Sequence, residues 1–166
     1  MHIATELYET GGHSNFIKNF LDANINVKQI LILTAQERPV PDEFENITDR
    51  VSIIKLSGET YESKVKEVID VLSNVSGFIL LSTHPNDVLP DMVLRNIDLP
   101  VITFNHADHV FWLGASVTDI ALNFRSAGEE ICEKYRGIDS SRDIFLNTQK
   151  YSQLSDYSKT KDKLNL

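Results

Sequence analysis

Cysteine is almost missing from this sequence: of 166 residues, only Cys132 is one. No intrachain disulfide can form, and Cys132 falls inside an amphipathic stretch, so a reduced, core-packed thiol is expected. Positive charge is also scarce. Sixteen Lys and Arg against 24 Asp and Glu give a formal net charge of −8, which argues against nonspecific attraction to nucleic acid or anionic lipid. The first residues lack a basic segment followed by a long apolar one, so no signal peptide is expected. No apolar run approaches the length of a membrane span. These absences predict a soluble cytoplasmic domain. There is no internal repeat, no low-complexity tract, no Walker phosphate loop, no Asp-x-Asp pair and no Gly-x-Ser-x-Gly nucleophile turn.

What is present is a regular alternation. Apolar runs rich in β-branched residues lie at 27–33, 51–56, 78–81, 101–104 and 117–124. With His2 to Glu6 they make about six strands. Several are apolar throughout, as strands covered on both faces are. Between them lie helical patterns. Phe16, Ile17, Phe20, Leu21 and Ile25 mark one helical face, and Tyr61, Val65, Val68, Ile69, Leu72 and Val75 mark another. A third runs from Val88 to Ile97, with Asp87 as its expected N-cap. Ser126 to Glu129 reads as a capping box opening a fourth. The stretch from Ala35 to Asp49 holds Pro39 and Pro41 and predicts a loop or short irregular helix. The fold class is therefore α/β: a Rossmann-like, mostly parallel sheet of about six strands with helices on both faces. Residues 1–147 are expected to form this domain, and residues 148–166 a polar tail or linker.

The unusual residues follow the strands. "HIATELYETGGHSNF", residues 2–16, reads as strand, glycine turn and helix, a unit that presents N-terminal N–H groups to an anion. His84 follows the strand ending at Leu81; Asn105, His106, Asp108 and His109 follow "VITF"; Arg125 follows "IALNF". Strand C-termini of a parallel sheet share one edge, where ligands bind. One rim should then gather Gly11, Gly12, His13, His84, Asn105, His106, Asp108, His109 and Arg125. Three readings of that rim compete: a metal site built on His84, His106, Asp108 and His109; acid–base chemistry or polar substrate binding; and structural histidines bonding backbone carbonyls. Trp112 is expected to be a packing anchor beside it.

"ATELYETGGHSNF", "NHADHVFWLGASVTDIALNFRSAG" and "KTKDKLNL" resemble the N-terminal half of GT-B-fold glycosyltransferases of the glycogen-synthase-like, retaining group. The resemblance implies one of two Rossmann-like domains facing a cleft. It implies transfer of a sugar from a nucleoside diphosphate donor to a hydroxyl acceptor, with no cofactor and no metal. Gly11, Gly12 and His13 would face the donor diphosphate, and His106 would be the catalytic residue near the transferred sugar. His84, Asn105, Asp108, His109 and Arg125 would bind substrate around them. Residues 159–166 resemble the stretch just before the C-terminal, donor-binding domain of such enzymes, which would follow Leu166. The isolated chain is thus expected to be inactive. Relatives often carry Thr-Arg after Gly-Gly-His, where Ser14 and Asn15 stand here, so a basic donor contact is expected to be missing. Two other functions remain open: a non-enzymatic Rossmann-like domain that binds an anion or a protein, and a metal-dependent hydrolase built on the histidines.

Overall fold

A computed structural model of the chain describes residues 1–47 and 49–146. The expected tail, 148–166, lies outside the described residues. Among those residues, seven strands form one all-parallel sheet: β1 (His2–Ala4), β2 (Gln29–Leu33), β3 (Val51–Lys55), β4 (Ile79–Ser82), β5 (Val101–Phe104), β6 (Ile120–Asn123) and β7 (Asp143–Phe145). Their order is β3-β2-β1-β4-β5-β6-β7. The register is set at the centre, where Ile3 pairs with Ile32 of β2 and with Leu81 of β4.

This order reverses direction between β1 and β4. Right-handed crossovers then put the connecting helices on opposite faces to either side of that point. On one face α1 (Gly12–Ala23) and α2 (Asp42–Glu45) bury Ile17, Leu21 and Phe44 against Ala4, Leu31 and Leu33. On the other, α3 (Tyr61–Leu72) and α4 (Leu89–Leu94) bury Val68, Leu72, Leu89 and Val93 against Ile3, Ile32, Ile79 and Leu81. Consecutive residues of β1 and β2 thus feed the two cores in turn, and all four residues of β4 are buried, which is why these strands read as continuous apolar runs. A third small cluster joins Cys132 of α5 (Ser126–Arg136) to Ala121, Ile138 and Trp112. Both the core thiol and the anchoring tryptophan are where the sequence suggested.

The sheet has one strand more than expected. β7 is three residues between a glycine-capped helix and the end of the described chain, too short for a period to show. The run at 117–124 is also divided: Leu113–Val117 form a 3₁₀ turn and the strand begins only at Ile120. The capping box at Ser126 does not form. Ser126 is already the first helical residue, and the N-cap, Arg125, has no side-chain cap bond. The capping box that does form is at α3, where Thr60 and Ser63 exchange bonds. Asp87 caps α4 from one residue further out than expected, its Oδ1 accepting from the Leu89 N–H at 3.1 Å. Tyr61 and Ile69 stand on the expected apolar face of α3 but are 58 and 46 % exposed; the residues this helix buries against the sheet are Val68 and Leu72, with Val65 and Val71 packed partly buried beside them.

Candidate functional site

The reversal between β1 and β4 opens a crevice at the strand C-termini, the place where open parallel sheets bind ligands. Its floor is aromatic. Phe104 of β5 stacks on Phe16 of α1 at 3.7 Å between ring centroids and meets Phe124 edge-on at 4.5 Å. Above that floor lie two imidazoles, those of His13 and His106, stacked with centroids 4.5 Å apart. His84 sits 6.1 Å from His13, and Tyr8, in the β1–α1 loop, stacks on His84 at 6.1 Å.

Each stacked imidazole is fixed by a backbone carbonyl. His13 Nε2 contacts the Ser82 carbonyl, and His106 Nδ1 contacts the Phe104 carbonyl at 3.3 Å. A carbonyl only accepts, so those nitrogens carry the protons, and the opposite nitrogens, His13 Nδ1 and His106 Nε2, carry lone pairs. Burial pushes the His13 ring down to about 4, helped by the neighbouring His106. It also lowers His106 from its usual value. Both rings are neutral at pH 7. His13 Nδ1 is buried without a partner, and His106 Nε2 makes no hydrogen bond among the described residues.

Beside the rings is the glycine turn. Gly11 has φ 135°, a backbone region that L side chains rarely adopt, and it is the N-cap of α1. A methyl built on either Gly11 or Gly12 meets nothing within 4 Å, so the space above the turn is open. The first helical bond runs from Asn15 N–H to Gly11 O at 3.1 Å. The N–H groups of Gly12, His13 and Ser14 therefore have no acceptor among the described residues. The loop into the turn is tied down by Ser14, whose buried hydroxyl accepts from Tyr8 N–H at 2.8 Å. Ser14 thus serves the loop, while Asn15 is exposed.

On the other side of the crevice a carboxylate knits three strand ends together. Asp87 accepts from the hydroxyls of Thr5 and Thr34, and Thr5 Oγ1 accepts from the His84 N–H at 2.8 Å. Next to it is a cleft of about 600 Å³ lined by Thr34, Tyr61, Lys64, His84 and Asn86.

The structure thus brings Gly11, Gly12, His13, His84 and His106 together. The other expected site residues point elsewhere. Asn105 is 5 % exposed and turned beneath the rim, donating to Asn123 Oδ1 at 2.6 Å. Asp108 is buried and accepts from Arg125 at 2.6 Å. His109 reaches only Asp108 Oδ1, at 3.4 Å, with its side chain 72 % exposed. Among the described residues no three His, Cys, Asp or Glu side chains are arranged to hold a metal ion. Tyr8 and Arg136 adjoin the site without having been picked out by the sequence. Tyr8 lies two residues past Glu6 and carried the signal of a nearby glycine pair; Arg136, at a helix end, carried none. No helix among the described residues is long and apolar enough to cross a membrane.

Fold and crevice together define an α/β protein with a Rossmann-like sheet and a polar site at its topological switch point. In comparisons with known proteins, no family model, no curated protein and no solved structure matches the chain.

Proposed function

We propose that this domain is the acceptor-side half of a nucleotide-sugar-dependent glycosyltransferase, which moves a sugar from a nucleoside diphosphate donor to a hydroxyl acceptor. The observation that supports this reading is the pairing of two unlike surfaces at one spot. Uncapped helix amides at Gly12, His13 and Ser14 suit a diphosphate. A neutral imidazole lone pair on His106, next to them, suits a hydroxyl. A nucleoside diphosphate sugar carries both, a diphosphate and a hydroxyl-bearing sugar joined to it through the anomeric C–O bond.

In this reading the amides hold the diphosphate charge as it grows on the leaving oxygen. His106 Nε2 accepts a hydrogen bond from a hydroxyl of the transferred sugar and fixes its orientation. The cleft beside His84 and Lys64 receives the acceptor. The histidines act here as neutral acceptors rather than as fixed charges.

Titration of the labelled chain with a nucleoside diphosphate, and then with the same nucleoside diphosphate bearing a hexose, tests the reading by nuclear magnetic resonance. The diphosphate alone should shift the Gly11 to Ser14 amides. The hexose should add a shift at the His106 ring. A response at the amides with no hexose effect at His106 would instead leave an anion-binding domain, and no response at millimolar ligand would remove both.

A further inference from the structure

The loop that carries His106 has little of its own to hold it. Residues 105–110 form no helix or strand. Their internal backbone bonds are few, including His106 N–H to Phe104 O at 3.0 Å and Val110 N–H to Ala107 O at 3.3 Å. What spans the loop is a side chain from another element. Arg136, the last residue of α5, donates from Nη1 to Asn105 Oδ1 and from Nη2 to the carbonyls of Asp108 and Val110, each at 3.0 Å. Its guanidinium carbon lies over the Trp112 ring, 4.9 Å from the centroid. One planar group therefore grips the loop on both sides of His106.

The grip is anchored in the sheet. Asn105 donates onward to Asn123, and Asn123 to Asp143 Oδ1, each at 2.6 Å. A second tether, Arg125 to Asp108, comes from a side chain that is 60 % exposed, and solvent screens such a pair. Arg136 contributes nothing to the ligand contacts proposed above.

The geometry points to Arg136 as the positioning residue of this site: it fixes the 105–110 loop so that the His106 ring stays stacked on His13 beside the glycine turn. Lysine cannot replace it. An ammonium is a point charge that neither spans three acceptors in one plane nor stacks on an indole face. The inference goes beyond the transferase reading and does not depend on which ligand the crevice takes, because its test reads the ring itself.

The test is a pH titration of the five histidine rings by nuclear magnetic resonance in the wild-type chain, in Arg136→Met and in Arg136→Lys. The titratable groups that face His106 are His13 from α1 and His84 from the loop after β4. In the wild type, burial should make His106 and His13 titrate below the ordinary histidine value. In Arg136→Met the His106 midpoint should rise by about half a unit or more as the ring gains water. His13, losing its stacked cover, should rise with it. Arg136→Lys should move both in the same direction by less. His2, buried in β1 and held near 3, should stay neutral throughout and report an intact fold. Unchanged His106 and His13 midpoints in a folded Arg136→Met chain would overturn the inference. So would a shift shared by His2, which would make Arg136 a general stabiliser. A wild-type His106 midpoint in Arg136→Lys, which keeps the charge, overturns it whether or not Arg136→Met folds, because the shift in Arg136→Met would then follow from the lost charge alone.

Discussion

Gly11 and Gly12 stand side by side in the turn but are constrained differently. Gly11, at φ 135°, holds a conformation costly for any residue with a Cβ, whereas Gly12 is the first residue of α1 with open space above it. Gly11→Ala should therefore destabilise the chain by about 1–3 kcal/mol. Gly12→Ala should leave stability unchanged or raise it by up to about 1 kcal/mol, alanine being the better helix former. It should still weaken nucleoside diphosphate binding, because its methyl stands where the phosphate approaches the amides. Denaturant unfolding and calorimetric titration of both variants check the two statements. At this scale Gly11, Gly12, His13, His84 and His106 were legible as neighbours, since each follows an apolar run and has no evident part in a core, whereas His109, read the same way, reaches only Asp108. Asn105 was misread because polarity after a strand does not say which face the side chain takes. Here it turns inward to Asn123 and Arg136. Arg136 itself was illegible: a basic residue in the last helical turn has an ordinary reason to be there in the helix dipole.

Among the elements, α5 sits closest to the sheet, and Gly128 permits it. A Cβ at Gly128 would lie 2.5 Å from Asn123 Oδ1 and 3.5 Å from Asn105 Nδ2. Neither side chain can yield easily, because both are buried and bonded to each other. Gly128→Ala should cost about 1–3 kcal/mol from overpacking, less the helix preference of alanine. It should also disturb the loop at 105–110 through Asn105. Unfolding measurements give the first effect and amide shifts of that loop the second. The sequence pattern SAGE here suggested a capping box, yet the residues form the first turn itself. Helix starts are poorly marked when the helix is set by how close it must come to a strand. Longer elements were legible because burial repeats along them, as in α1 and β2. β7 was not, since three residues at a sheet edge carry no period.

For the whole molecule, the reversal of strand order gathers the glycine turn and three histidines at one rim, and the buried rings of His2 and His13 tie the stability of the fold to pH. His2 is held near 3 and His13 near 4, both by desolvation, against 6.5 for an unburied ring. Depressed values mean that the unfolded chain binds more protons than the native one below pH 6.5. Their contribution to stability is thus complete above pH 6.5 and falls as the pH drops toward 4. Between pH 7.5 and 5.5 unfolding free energy should decrease by about 1 kcal/mol per histidine; a flat profile would mean that these rings are solvated. The isolated chain should turn over no nucleotide sugar, since transfer needs both reactants fixed in one geometry and its crevice is an open rim. The central claim is that the stacked pair beside the glycine turn serves a ligand rather than the fold. His106→Ala tests it most directly, with affinity for a nucleoside diphosphate hexose and unfolding free energy measured on the same preparation. The predicted result is a stability loss of about 1 kcal/mol, the scale of one stacked ring, together with an affinity loss of about tenfold or more, as for one lost polar contact. Unchanged affinity with a stability loss of several kcal/mol would contradict it.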